Sequence, residues 1–129
     1  YDQFDNRTSI TDALGNRTEM TYNSRGLVLT VKDARNNVTT NTYNAGNNLL
    51  TATDALGGVT TNTYDAYTGK PTSTKDALNN VTTFEYTGNY LTKETDAQGS
   101  ETTFGYDANG NRSSQTVRRT NAQGQLETI

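Results

Sequence analysis

Carboxylates, carboxamides and phenols carry whatever chemistry this sequence can do. Its 129 residues include no histidine and no cysteine. The usual general base, the commonest metal ligand, a thiolate nucleophile and any disulfide are therefore missing. A Ser-His-Asp triad cannot be assembled. Among 14 Asp and Glu residues some pair could fall at glycosidase separation, but nothing singles one out, so no catalytic residue is predicted. The run Asp107-Ala-Asn-Gly-Asn111 has the oxygen density of a calcium loop. It lacks that loop's Asp-x-Asn-x-Asn-Gly spacing and closing Glu, and turn chemistry accounts for it, so neither metal nor cofactor is expected.

The tyrosines could stack on sugar rings, which would make a glycan a partner. The competing reading, and the favoured one, packs each tyrosine on neighbouring strands. Arg118-Arg119 is the one basic pair and reads as a solvated, irregular strand rather than an anion site. A net charge of −3 gives no nucleic-acid footprint. No apolar run approaches the ~20 residues of a membrane span. Asn6, Asn16, Asn37, Asn80 and Asn111 each head an Asn-x-Ser/Thr sequon, which a Gly-Asn-x-Thr repeat generates by itself.

The elements that position these groups cannot rest on a conventional core. Leu, Ile, Val and Phe number only 20 of 129 residues, whereas threonine alone supplies 26. What organises the chain is a repeat. Tyr1, Tyr22, Tyr43, Tyr64, Tyr86 and Tyr106 are spaced 21, 21, 21, 22 and 20 residues apart. A second series, Asp12, Asp33, Asp54, Asp76, Asp96 and Asn121, opens the blocks DALGN, DARNN, DALGG, DALNN, DAQGS and NAQGQ. Six units follow, 1–21, 22–42, 43–63, 64–85, 86–105 and 106–129, forming a single array with no other domain. Phase kept over a hundred residues at low net charge argues against disorder. The chain does not begin with Met, and we read it as a piece of a longer repeat protein.

Each unit holds two turns. Asp at the first and Gly at the fourth position is the preference of a type I turn, with Gly15, Gly57, Gly99 and Gly110 free to take positive φ and form a bulge. Asn36 and Asn79 replace that Gly and tolerate the same left-handed conformation. The length changes fall in the turn after tyrosine, longer at 64–69 and shorter at 86–89. Runs such as Val38-Thr-Thr-Asn-Thr-Tyr43 and Val81-Thr-Thr-Phe-Glu-Tyr86 are β-branched and aromatic and read as strands. No 3.6-residue apolar stripe predicts a helix. About a dozen short antiparallel strands are expected, each paired with its sequence neighbours. In the strand before each tyrosine both faces are mixed, so we expect a thin sheet wetted on both sides and held by backbone ladders and side-chain columns.

Tyr106-Asp-Ala-Asn-Gly-Asn-Arg112 and, staggered from it, Thr11-Asp-Ala-Leu-Gly-Asn-Arg-Thr18 resemble the two signatures of the YD repeat, also called the Rhs repeat. The resemblance covers the whole chain. Copies two and three depart with Tyr-Asn and copy five with Tyr-Thr, both compatible with the same turn. The resemblance implies an all-β fold of tandem antiparallel hairpins in a continuous spiralling sheet, a shell or solenoid-like ribbon. In large members that sheet closes into a hollow shell around a toxic carboxy-terminal domain; in teneurins a similar barrel serves adhesion. Shell-forming members usually end in a self-cleaving segment with an Asp-Pro-x-Gly-Leu signature. The single proline here, Pro71, lies in Lys-Pro-Thr, so that segment is not matched.

The expected role is therefore non-catalytic: a structural wall of a secreted or surface-displayed bacterial protein that shields a toxin or other polypeptide. Its expected partners are neighbouring repeats or identical chains at the sheet edges, and the enclosed polypeptide. Continued stacking into an extracellular fibre, and a glycan-binding adhesion module, are the alternatives.

Overall fold

The computed structural model describes residues 1–121 and 123–129. The chain is all-β, built as expected from tandem antiparallel hairpins. Its strands are β1 (Ser9–Thr11), β2 (Arg17–Tyr22), β3 (Val28–Lys32), β4 (Val38–Tyr43), β5 (Leu49–Thr53), β6 (Val59–Tyr64), β7 (Pro71–Lys75), β8 (Val81–Thr87), β9 (Tyr90–Thr95), β10 (Glu101–Tyr106), β11 (Arg112–Thr120) and β12 (Leu126–Thr128). By its contacts the chain divides into two units, Tyr1–Asn62 and Thr63–Ile129. In each, strand order is sequence order.

Two hairpin types alternate. Those closed by the Asp-series turns are regular, as in Lys32↔Val38 through Thr30↔Thr40. Those closed by the turn after tyrosine carry a register shift immediately before the tyrosine: Thr21/Tyr22, Thr42/Tyr43, Glu85/Tyr86 and Gly105/Tyr106. The shift leaves one extra residue on the partner strand, a β-bulge at a constant place in the repeat.

No described residue is buried. The sheet is nevertheless sided, more clearly than its sequence suggests. In β4, Val38, Thr40 and Thr42 are exposed while Thr39, Asn41 and Tyr43 are half-buried, and β8 alternates the same way. Without a core, the apolar burial term is small. Cohesion comes from ladders and from cross-strand side-chain pairs, so each hairpin depends on its neighbours.

On the exposed face, hydroxyls meet across the tyrosine hairpins: Thr21–Thr30 at 2.7 Å, Thr42–Thr51 at 2.6 Å and Thr63–Ser73 at 2.8 Å. Charges cross the strands on that face too. Lys93 Nζ lies 2.5 Å from Glu85 and 3.5 Å from Glu101, and Arg17 and Lys32 flank Glu19. The glutamates push the Lys93 ammonium pKa up, its hydrogen bond to Glu85 first.

One expectation is corrected. Arg118 and Arg119 are exposed, as expected, but they pair in regular register, opposite Glu101 and Glu127 respectively, beyond the bulge near the start of the nine-residue β11. The extra residues of the sixth copy lengthen that strand, which is why Asn121 falls late in the repeat.

Candidate functional site

The recurring element is a tyrosine at or next to the end of a strand. The Tyr22 hydroxyl donates to the Arg7 carbonyl at 2.7 Å, Tyr43 to Val28 at 2.8 Å and Tyr106 to Leu91 at 2.8 Å, each fifteen residues back. The ladder explains the need. Pairing between β3 and β4 stops at Thr30↔Thr40, which leaves the Val28 carbonyl beyond the last rung. Tyr43 closes over it, and Asn41 Nδ2 donates to the same oxygen at 3.2 Å. Asn62 Nδ2 repeats the contact on the Leu49 carbonyl at 3.1 Å. Side chains thus continue the hydrogen bonding where the backbones part. Sequence reasoning missed the asparagine contribution, although the twice-repeated Val-Thr-Thr-Asn-Thr-Tyr string carried it.

The tyrosine rings are committed elsewhere than to solvent. Tyr22, Tyr43, Tyr64, Tyr86 and Tyr106 are all half-buried, and burial pushes the Tyr86 phenol pKa up. The exposed rings are Tyr1, at 77%, Tyr67, at 98%, on the lengthened turn, and Tyr90, at 44%, where β9 begins. Two equivalent hollows flank the committed tyrosines. One of about 460 Å³ is lined by Leu29, Asn41 and Tyr43, the other of about 400 Å³ by Thr72, Phe84 and Tyr86. Over each a cation bridges successive turns. Arg25 Nη1 donates to the Ala45 carbonyl and Asn47 Oδ1, and Lys70 Nζ to the Gly88 carbonyl and Asn89 Oδ1. These latches were not legible in sequence, because an Arg and a Lys at different offsets do the same work.

The Asp series heads the opposite row of turns. Asp12 Oδ1 accepts the backbone N–H of Leu14 and Asn16, and Oδ2 accepts Asn16 Nδ2 at 2.8 Å. Asp33 and Asp76 repeat all three bonds with Asn37 and Asn80. Asp54 and Asp96 accept two backbone N–H groups each, since Gly58 and Ser100 stand where the asparagine would be. These hydrogen bonds, the asparagine amide first, hold the carboxyl pKa values of Asp12, Asp33 and Asp76 below the usual range. The backbone closes the same way throughout, as in Asp12 N–H to Asn16 carbonyl and Gly15 N–H to Asp12 carbonyl. Gly15, Gly57, Gly99 and Gly110 take φ between +79° and +85°, and Asn36 and Asn79 take +64° and +66°.

The carboxylate considered for calcium, Asp107, belongs to this chemistry: its oxygens accept Asn109 N–H, Asn111 N–H and Asn111 Nδ2. Among the described residues no three acidic side chains converge as metal ligands. The sequon asparagines Asn6, Asn16, Asn37, Asn80 and Asn111 all spend an amide N–H on the Asp of their own turn. No helix is long and apolar enough to cross a membrane among the described residues.

The arrangement can hold a repeating sheet together, and comparison with known proteins places it. No curated protein matches the chain. Among solved structures, the crystal structure of TcdB2-TccC3 superposes with a TM-score of 0.69 at 18% identity, over 86% of this chain and 6% of that one. The crystal structure of TcdB2-TccC3-Cdc42 gives 0.64 at 16% identity, over 86% and 7%. At that identity the likeness is one of fold, and the chain spans only a small fraction of those proteins. The RHS Repeat family model matches residues 1–39, 22–61 and 87–126, and the chain belongs to that family.

Proposed function

We propose that the chain is a non-catalytic stretch of wall from a bacterial RHS-repeat protein, secreted or displayed at the surface, whose sheet encloses a toxin or other polypeptide. The observation that carries this reading is the absence of any buried described residue from a chain whose hairpins are nonetheless closed at every turn. Such a sheet has no interior of its own. Its work is done by area and continuity, and a hydrogen-bonded wall two side-chain layers thick can separate what lies on one face from what lies on the other. Family membership and the fold shared with the TcdB2-TccC3 structures support the reading. The six units of 20 to 24 residues are its building blocks, with the tyrosine, aspartate and glycine series as structural positions rather than a reactive site. Neighbouring repeats are the first partners, and the enclosed polypeptide is the second.

Electron microscopy of the native parent particle tests this. Hollow closed bodies with internal density are the expected result. Continuous filaments with a repeat near ~9.6 Å, two strand spacings, would replace it with the fibre reading.

A further inference from the structure

Tyr90 and Tyr106 form the closest aromatic contact described in the chain, with ring centroids 4.7 Å apart and planes inclined at 36°. We propose that this pair is an oxidative cross-linking site, at which a one-electron oxidant of the peroxidase or photochemical class joins the two phenols as dityrosine.

The repeat explains why the pair exists in one place. The residue sixteen before each strand-end tyrosine is Asn6, Leu27, Asn48, Lys70 and Tyr90 in turn. In the last two copies of this arrangement that residue lies against the tyrosine ring: Lys70 Nζ sits 5.3 Å from the Tyr86 centroid, and Tyr90 packs on Tyr106. Only the fifth copy puts a phenol there. The same copy has the shortened turn, in which Thr87 pairs directly with Tyr90 and Gly88 takes φ of +55°. The mirror-image turns of two-residue hairpins use such a positive φ. Tyr90 therefore begins β9 instead of ending a loop, and its backbone is fixed by the ladder. Gly110 completes the seat, because a Cβ there would collide with the Tyr90 hydroxyl and ring.

The chemistry balances within the pair and the oxidant. Each phenol gives one electron to the oxidant and one proton to solvent. The two phenoxyl radicals form a carbon–carbon bond ortho to their oxygens, and the two ring hydrogens displaced there return to the oxygens, restoring both hydroxyls. Tyr90 is 44% exposed, so an oxidant reaches it. Tyr106 is half-buried, and its hydroxyl donates to the Leu91 carbonyl. Tyr90 is thus the point of entry and Tyr106 the held partner. Proximity makes coupling within the chain faster than coupling between chains at low concentration. A chain with no cysteine and no buried residue among those described gains most from such a link, because it ties residues 90 and 106 and so restricts the unfolded ensemble as a disulfide would.

The test is oxidation of the whole 129-residue chain at low concentration, by peroxidase with hydrogen peroxide or by a photo-generated oxidant. Dityrosine fluorescence and peptide mapping by mass spectrometry read the result. The expected product is a monomer carrying one cross-link between the peptides of Tyr90 and Tyr106, two hydrogens lighter. It should be lost in Tyr90→Phe, which keeps the ring, and kept in Tyr67→Phe, which removes the most exposed phenol. Dimers joined through Tyr67 with no 90–106 link, or a cross-link yield unchanged in Tyr90→Phe, would overturn the proposal.

Discussion

The Tyr43 hydroxyl sits 2.8 Å from the Val28 carbonyl, on the oxygen that the β3–β4 ladder leaves beyond its last rung. The bond joins one repeat to the one before it, and the shift of register at Thr42/Tyr43 aims the ring there. A residue that the sequence marks only by periodicity is thereby tied to a backbone group fifteen positions earlier.

That bond is tested by Tyr43→Phe, which keeps the ring and removes the donor. Asn41 Nδ2 still reaches Val28, so the carbonyl is not orphaned. The expected loss is about 1 kcal/mol, the net worth of one hydrogen bond. Asn41→Leu together with Tyr43→Phe strips both donors and should cost more than the two single changes added, because the carbonyl then has no partner. Urea unfolding of the four proteins measures it.

The turns make a conformational prediction. Gly57 takes φ of +85° with nothing within 4 Å of a Cβ position, so space does not limit substitution there but backbone does. Gly57→Val should destabilise by roughly 1–2 kcal/mol, the cost of the left-handed region for a residue with a Cβ. Asn36 stands at the equivalent place with φ of +64°, and Asn36→Gly should be neutral or slightly stabilising. A fall in melting temperature for Asn36→Gly as large as that for Gly57→Val would contradict the account.

The aspartate turns set a pH dependence. Asp2, Asp12, Asp33, Asp65, Asp76 and Asp107 all have carboxyl pKa values held below the usual range by hydrogen bonds to the charged form. A carboxyl whose folded pKa is depressed binds its proton less readily than in the unfolded chain. Its stabilisation is therefore fully present above the ordinary value of about 4 and is lost as pH falls toward the lowered one. Stability should be level near neutrality and decline below about pH 4. Asp33→Asn and Asp76→Asn together should flatten that decline while lowering stability at pH 7. Denaturant midpoints measured against pH check both statements.

Much of this was legible beforehand, for physical reasons. Turn residues act on their own backbone, so Asp12, Gly15 and their equivalents declare a turn from three or four letters. Strand content followed from β-branched runs between those turns. The sidedness of the sheet was harder to read. Asn41 and Asn62 look polar enough to face water, yet they lie on the half-buried side because their amides have a carbonyl to satisfy. The Arg25 and Lys70 latches were hidden for a related reason: each reaches about twenty residues ahead, to a turn whose position depends on where the intervening bulge falls. Long side chains that bridge copies leave no fixed spacing to read.

The final prediction concerns where the repeat accepts extra length. The turn at Asp65–Lys70 is one residue longer than its counterparts, closing with Gly69 N–H on the Asp65 carbonyl and Asp65 N–H on the Lys70 carbonyl, and the flanking strands keep regular register with their outer neighbours, β6 with β5 and β7 with β8. One glycine inserted between Ala66 and Tyr67 should therefore leave circular dichroism unchanged and shift unfolding only slightly, since loop entropy grows slowly with length. The same glycine inserted between Thr83 and Phe84 of β8 would be far more costly. It moves Thr82 to the wrong side relative to Phe84 and Tyr86, or slips Val81–Thr83 against β7, because side chains alternate with a period of two. Amide exchange should then show lost protection in β7, β8 and β9 while β2–β5, in the other unit, stay protected. Equal loss from both insertions would mean that the turn after tyrosine is as constrained as the strands, and that the length variation seen there in the sequence has some other cause.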